Sequence, residues 1–245
     1  MRTDIRTRVW ISVGVNLPAS IQEPALTRSV EDYLKAIYRL SSQGGFATTS
    51  DIAGLLTLSA PSVSGMVKRL SEMGLIEHVP YRGVQLTSQG RRAALRMIRR
   101  HRVLELYLTR NLGYDWDNVH NEAERLEHAV SDDLIERMAA TLGDPRYDPH
   151  GDPIPTATGD IEETELSSLA DAEVGADLEL RQVGTQEPAR LRYFAEQGLV
   201  PGVRVTVTDR QPFNGPTTVY LNASGTARIV GRELAQVLWC RGVTG

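Results

Sequence analysis

The stretch SDIAGLLTLSAPSVSGMVKRLSEMG, residues 50–74, decides the fold. Apolar residues recur at helical spacing in its second half, and a tight turn divides it. Ser50 and Ser59 are typical helix N-caps, because a serine hydroxyl can accept a hydrogen bond from a free backbone N–H of the first turn. The stretch therefore predicts two short helices, over residues 50–56 and 60–73.

The flanking residues complete a larger motif. Residues 28–40 have apolar positions at helical spacing, which predicts a first helix. Two short strands are expected at residues 76–79 and 84–87, with Arg82-Gly83 as the turn of a hairpin. Three helices followed by a hairpin is the order of a winged helix-turn-helix, in which the last helix enters the major groove of DNA.

Small hydroxyl side chains and basic side chains recur along this last helix and at the tip of the hairpin. Such groups can approach DNA closely, bond to phosphates or bases, and neutralise backbone charge. Taken singly, each could be only part of a helix start or of a solvated face; taken together they predict DNA binding, with DNA shape carrying much of the specificity. The candidate contacts are Ser59, Pro61, Ser62, Ser64, Lys68, Arg69 and Arg82.

The charge distribution supports this interpretation. The 245 residues carry a net charge of −4, which by itself does not favour nucleic acid. Residues 1–110, however, hold 16 basic and 8 acidic residues, whereas residues 111–245 hold 11 basic and 23 acidic residues. This asymmetry predicts a basic half that meets an anion and an acidic half that could hold cations.

The composition limits the cellular location that we expect and excludes sites that need several cysteines. The single cysteine, Cys240, excludes an intramolecular disulfide and an all-cysteine zinc site. No run is long and apolar enough for a membrane-spanning helix, so no membrane partner is expected. Residues 1–24 imitate a signal peptide only faintly, and we interpret them as a flexible tail or an over-long start of the reading frame. We expect a cytoplasmic protein.

Imidazoles and carboxylates recur at helical spacing in the acidic half and just before it. Spacings of three, four and eight residues place side chains along one face of a helix, and facing helices are where bundles build metal sites. One set falls on a helix expected over residues 88–110, the other on a helix expected over 117–142. As an alternative, the acids could be surface residues paired with Arg125 or Arg102. The six candidates are His101, Glu105, His120, Glu124, Glu127 and His128.

From residue 143 onward the sequence pattern differs from that of the preceding helices. Residues 143–155 are rich in proline, glycine and aspartate and predict an irregular connector. Alternating β-branched segments after about residue 174, with a short helix over 187–197, predict a small β-barrel. The predicted class is α+β, with a tail (1–24), a winged helix-turn-helix (25–90), a helical metal-binding and dimerisation domain (91–160) and an SH3-like barrel (174–245).

These motifs together resemble the diphtheria toxin repressor family, including its manganese transport regulators. The resemblance runs from about residue 27 to the end of the chain. It is carried by these stretches: Glu31-Asp32-Tyr33-Leu34, the serine-rich start of the recognition helix, Arg100-His101-Arg102, Val119 to His128, and His150-Gly-Asp-Pro-Ile-Pro155. It implies a metal-bound homodimer that binds double-stranded operator DNA and represses metal-uptake genes.

The resemblance also implies a division of the ligands. By position, a primary site would comprise Asp32, Glu124, Glu127 and His128, and an ancillary site would comprise His101, Glu105 and His120. Glu187 would be the acidic ligand that the SH3-like domain of some members adds to the ancillary site. The other position expected from that domain falls near Arg190, which cannot bind a metal.

The residues at two positions bear on the choice of metal. Iron-responsive members of the family have methionine and cysteine where this chain has Asp32 and Glu124. Oxygen in place of sulfur favours Mn²⁺, with Fe²⁺ as the alternative, although raw affinity rises toward later metals. Lys35 replaces a glutamate of the two-domain manganese members, so we expect a primary ion and a separate ancillary ion rather than a closely spaced pair.

Three other classes of protein remain open from the residues alone. A metalloenzyme on a helical bundle would use the same side chains, but no further catalytic signature such as His-Glu-x-x-His is present. A DNA-binding regulator that senses an organic ligand would keep its DNA affinity in chelator. A passive metal buffer would not need the basic N-terminal half.

Overall fold

The computed structural model describes residues 26–41, 45–79 and 81–243. The tail expected over residues 1–24 lies outside the described residues. Within them the chain forms a winged helix-turn-helix, a helical unit and a β-rich unit, as the predicted α+β class requires.

The winged helix-turn-helix consists of three helices and a two-stranded wing. Its elements are α1 (Arg28–Ser41), α2 (Thr49–Leu56), α3 (Ala60–Glu72), β1 (Ile76–Val79) and β2 (Gly83–Leu86). Ser59 caps α3 as predicted. The cap of α2 is Thr48 and not Ser50, because Asp51 forms a reciprocal capping box with Thr48. Val30 and Leu34 of α1 pack with Val63 and Leu70 of α3 in one core.

The helical unit consists of one long helix and two short ones: α4 (Ser88–Leu112), α5 (Val119–Leu126) and α6 (Asp132–Thr141). A single helix over residues 117–142 was the wrong prediction. The chain breaks after Leu126, and Ser131 caps a new helix by accepting a hydrogen bond from the Leu134 N–H at 3.3 Å. The break matters because Glu127 and His128 lie in it.

The β-rich unit is a six-stranded antiparallel sheet in the order β3-β8-β4-β5-β6-β7. Its hydrogen-bonded order ends at β3 and β7, and register shifts in β4 and β5 bend it around one apolar core. Leu169, Ala170 and Ala172 already belong to this core, so the unit begins ahead of residue 174, where it was expected to start. The elements are β3 (Ser167–Ser168), a 3₁₀ turn (Leu169–Asp171), β4 (Asp177–Val183), α7 (Pro188–Gln197), β5 (Arg204–Arg210), β6 (Thr217–Leu221), β7 (Thr226–Val230), α8 (Arg232–Gln236) and β8 (Leu238–Gly242).

The connector before the sheet seats the third unit on the second through its backbone. The Val183 N–H donates to the His150 carbonyl at 2.9 Å. Gly151 has a φ of +86°, and a Cβ on it would lie 1.8 Å from the Arg181 carbonyl oxygen. Arg192 adds an ion pair to the buried Asp117 at 2.7 Å. The sheet is thereby held beside the residues of α4 and α5.

Candidate metal centre and DNA-binding surface

The first cluster joins the DNA-binding unit to the helical unit. His128 Nε2 lies 2.9 Å from Asp32 Oδ1 of α1 and 3.4 Å from Glu127 Oε1. His128 Nε2 is buried and makes no hydrogen bond, so its lone pair is available. The three residues offer ligand atoms within 4.8 Å of one another. Burial raises the pKa of Asp32, and His128 and Arg28 oppose that shift.

A second carboxylate of α1 orients the imidazole. His128 Nδ1 lies 2.7 Å from Glu31 Oε2, and Glu31 in turn faces Arg100 at 3.5 Å. A carboxylate on one ring nitrogen fixes the proton there and leaves the other nitrogen as a metal donor. Glu31 was not among the predicted site residues, although it stands beside Asp32.

Lys35 supplies a positive charge inside the cluster. Its Nζ lies 2.6 Å from Glu124 Oε1 and 2.9 and 3.0 Å from the two oxygens of Glu127. Glu124 therefore faces Lys35 and His101 in this structure, and not Asp32 with which it was grouped. Burial tends to raise the pKa of the Glu127 carboxyl, but His101 and Lys35 hold it below its usual value.

The second cluster lies between α4 and α5. His101 Nε2 lies 2.9 Å from Glu105 Oε1 and 3.0 Å from His120 Nδ1, and His120 Nδ1 lies 3.0 Å from the same carboxylate oxygen. The other ring nitrogen of His101 lies 2.6 Å from Glu127 Oε2. The two clusters are thus contiguous, and one imidazole contacts both.

Protonation balances the second cluster in the absence of metal. Burial alone would lower the pKa of His101, but the charge and hydrogen bond of Glu105 and the hydrogen bond of Glu127 raise it to about 9. The pKa of Glu105 falls well below its usual value despite burial, because three histidines face it. The pair is an imidazolium and a carboxylate at neutral pH.

Two residues of the connector, His150 and Asp148, lie behind Glu105, and neither was among the predicted ligands. His150 Nδ1 lies 3.8 Å from Glu105 Oε2, and neither atom has a hydrogen-bond partner. His150 Nε2 lies 2.8 Å from the Trp116 carbonyl oxygen, and the two rings stack. Despite burial, Glu105 and Asp148 raise the pKa of His150 to about 9, while burial and Asp152 raise that of Asp148. The connector has no hydrophobic periodicity that could reveal these residues. The only signal in the sequence is that histidine and aspartate are residue types that can bind a metal.

The β-rich unit reaches the second cluster through Gln186 and not through Glu187. A cavity of about 370 Å³ is lined by Glu105 and His120 on one side and by Gln186 on the other. Gln186 Oε1 is buried without a partner. The expected ligand Glu187 is instead about half exposed, and its carboxylate lies 2.6 Å from Arg190, which also pairs with Glu233.

The donor set fits a divalent cation. Imidazole and carboxylate ligands with no thiolate suit Mn²⁺ and Fe²⁺. The orphaned buried atoms Glu105 Oε2, His128 Nε2 and His150 Nδ1 are electron-pair donors that a cation would satisfy. The alternative pairings of the acids are wrong, because Arg125 binds Glu122 and Arg102 binds Asp148 and Asp152.

The residues predicted to contact DNA form an exposed surface on α3 and the wing. Ser59 accepts a hydrogen bond from the Ser62 N–H at 3.4 Å, and the Ser64 hydroxyl donates to the Ala60 carbonyl at 3.0 Å. Arg82 stacks its guanidinium over the Phe46 ring at 5.4 Å. The exposed members are Ser59, Pro61, Ser62, Ser64, Lys68, Arg69 and Arg82.

Comparison with protein families accounts for the three units in turn. Residues 25–84 match the N-terminal DNA-binding domain of iron-dependent repressors, and residues 87–156 match the metal-binding and dimerisation domain of the same proteins. Residues 167–242 match the FeoA domain. None of the described helices has both the length and the apolar character required to cross a bilayer.

Individual relatives carry both metals in their names. The chain is 32% identical over 206 residues to the iron-dependent repressor IdeR of Mycobacterium tuberculosis, covering 79% of this chain and 89% of that one. It is 38% identical over 130 residues to the diphtheria toxin repressor of Corynebacterium diphtheriae, covering 53% and 58%. A solved manganese-dependent transcriptional repressor in complex with manganese is 40% identical, with a TM-score of 0.81 over 87% of this chain and 100% of that one.

The structure of the manganese regulator SloR is 31% identical, with a TM-score of 0.71 over 89% of this chain and 100% of that one. Proteins of this kind are transcriptional repressors and not enzymes, which excludes the metalloenzyme alternative. The chain belongs to the diphtheria toxin repressor family of metal-dependent DNA-binding repressors, in the form that carries a C-terminal FeoA domain.

Proposed function

We propose that the chain is a manganese-responsive repressor in the cytoplasm that binds operator DNA as a metal-loaded homodimer and lowers the expression of metal-uptake genes. One observation carries this proposal. His128 Nε2, without a hydrogen bond, lies 2.9 Å from Asp32 Oδ1, so a single cation would join the DNA-binding unit to the helical unit.

The ligands divide between two ions. Asp32, Glu127 and His128 would hold the primary ion, and Glu124 would join them by turning away from Lys35. His101, Glu105 and His120 would hold the ancillary ion. The bound metal supplies divalent positive charge that carboxylates from both units share. The helical unit would pair two copies, as the match to a dimerisation domain supports.

The helix α1 would transmit the switch. It carries Asp32 on one face, and on the other Val30 and Leu34 belong to the same apolar core as Val63 and Leu70 of α3, with α2 in contact with both helices. A fixed α1 therefore fixes the recognition helix, and in a dimer it fixes the distance between two recognition helices. That distance must match two half-sites on the duplex. DNA and metal then favour the same state, so each tightens binding of the other.

The proposed metal follows from the donors. Asp32 and Glu124 are carboxylates, and the only cysteine, Cys240, is buried in the core of the β-rich unit. Oxygen and imidazole donors suit Mn²⁺, and the structures named for manganese are consistent with it. The Fe²⁺-responsive alternative is supported by the relatives named iron-dependent repressors.

Binding of the purified protein to its own promoter region tests the proposal. At fixed salt, affinity is compared in chelator, Mn²⁺ and Fe²⁺. We expect Mn²⁺ to tighten specific binding by about 5- to 150-fold, the usual range of an allosteric effector. His128→Gln should abolish the gain. The matched control is Glu122→Gln, because Glu122 lies on α5 just before His128 and, among the described residues, pairs with Arg125 at 3.4 Å.

The outcomes distinguish the alternatives. A larger gain with Fe²⁺ would support the iron-responsive alternative. Equally tight binding in chelator would contradict a metal switch and favour a regulator that senses an organic ligand, with these acids only structural. A gain that survives His128→Gln would show that the metal acts at another site.

A further inference from the structure

We propose a third cation position, formed by Glu105 Oε2, His150 Nδ1 and a carboxylate oxygen of Asp148, between α4 and the connector that seats the FeoA domain. It uses Glu105, which the proposed function assigns to the ancillary ion, and it rests on that function to this extent. The three residues offer ligand atoms within 4.8 Å of one another.

Burial keeps the two facing atoms away from bulk solvent. Glu105 is 1% exposed and His150 is 0% exposed. Glu105 Oε2 and His150 Nδ1 face each other at 3.8 Å with no hydrogen bond. Two unsatisfied polar atoms at one buried position are costly unless something lies between them.

The tautomer of His150 shows what that partner must be. Because its Nε2–H donates to the Trp116 carbonyl at 2.8 Å, Nδ1 is the ring nitrogen that can give up its proton and offer a lone pair. It faces a carboxylate oxygen, so the two atoms can share one cation, either a proton or a metal ion. A backbone carbonyl on the far ring nitrogen is the usual support of a metal-binding histidine.

The distance favours a metal ion over a proton. A charge-assisted hydrogen bond would bring the two atoms to about 2.8 Å, well below the separation of 3.8 Å. Ligand atoms that each lie about 2.1 Å from one ion can be up to about 4.2 Å apart.

The surrounding charges leave room for added positive charge. Asp148 Oδ1 accepts hydrogen bonds from the His150 and Asp152 N–H groups at 2.8 and 2.9 Å. Its Oδ2 lies 3.7 Å from Arg102 Nε, and the same guanidinium contacts Asp152 through Nη2. One guanidinium thus faces two aspartates, and Glu105 is shared with His101 and His120.

Counting bound Mn²⁺ per protomer by equilibrium dialysis tests the third position. His150→Gln is the informative variant, because a glutamine amide can still donate to Trp116 but puts no donor at Nδ1. We expect it to bind one ion fewer than the wild type. His120→Gln should lose the ancillary ion instead, and the double variant should lose both. His78→Gln, on the exposed part of the wing, is the control.

The outcomes separate this position from the ancillary one. If His150→Gln binds as many ions as the wild type, the third position does not exist. If the double variant loses no more than either single variant, one ion serves both histidines and the third position is wrong, whereas the ancillary site stands. If only His120→Gln has no effect, the ancillary assignment fails and the third position stands.

A second measurement avoids variants that do not fold. Anomalous scattering from crystals of the wild-type protein grown with Mn²⁺ should show a peak between Glu105 Oε2 and His150 Nδ1. No peak there, with peaks at the other clusters, would overturn the proposal.

His150→Asn, which can place an oxygen near Nδ1 but loses the Trp116 bond, should retain more Mn²⁺ than His150→Gln while unfolding at a lower temperature.

Discussion

The two clusters of the metal centre share His101 but balance their charge in opposite ways. Beside Glu124 and Glu127, the protein provides its own cation in Lys35. Around Glu105 no lysine is in contact, and orphaned donor atoms remain at Glu105 and His150. The comparison indicates that Glu124 and Glu127 of the first cluster are balanced without metal while His128 Nε2 is left without a partner, which suits a switch, whereas the second cluster needs protons or metal to balance Glu105, which suits a structural site.

The largest effect is expected from removing the internal cation. Lys35→Met leaves the fully buried Glu127 without its ammonium, and breaking a buried ion pair from one side costs about 3–5 kcal/mol. The free energy of unfolding of the metal-free protein should fall by about that amount, measured by denaturant titration. Mn²⁺ should restore much of it, because a cation again faces the carboxylates.

Lys68→Met is the control, since its ammonium is exposed and lies 4.0 Å from Glu72. An equal loss in both variants would contradict the view that the first cluster is balanced by Lys35.

A smaller effect should separate the switch from the structural site. Asp32→Asn removes the Asp32 carboxylate that α1 gives to the first cluster, so most of the gain of about 5- to 150-fold that Mn²⁺ gives to DNA affinity should be lost. His120→Gln should reduce this gain much less, because His120 touches no residue of the DNA-binding unit in the contacts described. Binding to operator DNA by fluorescence anisotropy measures both, and an equal loss would remove the distinction.

The pH dependence should have opposite signs for stability and metal binding. The pKa of His101 is raised from 6.5 to about 9, so its contribution to metal-free stability is full below pH 6.5 and is lost as the pH rises through about 9. Mn²⁺ must displace that proton, so affinity at the second cluster should rise over the same interval, by up to about tenfold per pH unit. Calorimetry in buffers of different ionisation enthalpy would count the protons released; none released would contradict the imidazolium.

The smallest effect concerns the contribution of the FeoA domain. Gln186→Ala should weaken Mn²⁺ binding at the second cluster by roughly fivefold, about 1 kcal/mol, because the buried amide oxygen lines that cavity. Glu187→Ala should leave it unchanged, because Glu187 pairs with Arg190 outside the cavity. Dialysis with His150→Gln as the background isolates the ancillary ion, and the reverse order of effects would restore Glu187 as the ligand.

Helical spacing explains how much of the site could be predicted. His101 and Glu105 follow from one face of α4, and His120 and Glu124 from one face of α5, because side chains four residues apart on a helix are neighbours whatever surrounds them. The break after Leu126 could not be predicted this way, since polar residues continue through it. His150 and Asp148 lie in a connector whose path depends on the docked sheet, so nothing periodic announces them.

The remaining differences between prediction and structure come from single positions and short segments of the sequence. The predicted Glu187 and the observed Gln186 are neighbours, and the direction of each side chain is decided by the turn where the Glu187 N–H donates to Thr185 Oγ1 at 3.2 Å. The strand β8 is hard to predict, because Leu238–Gly242 is short and alternates only over Leu238 and Cys240. The fold class depends on many residues, so an error at one position does not change it, whereas the identity of a ligand depends on a single position.

The close approach of Gly151 to the Arg181 carbonyl bears on how the FeoA domain would take part in the proposed metal binding. A side chain at position 151 would force these backbones apart, and the domain would then be held to the rest of the chain mainly by a flexible connector. Gln186 would visit the cavity at an effective concentration in the millimolar range, as groups on short flexible linkers do, instead of residing there. The absence of one Cβ therefore keeps Gln186 at the wall of this cavity, where the proposed ancillary ion would bind.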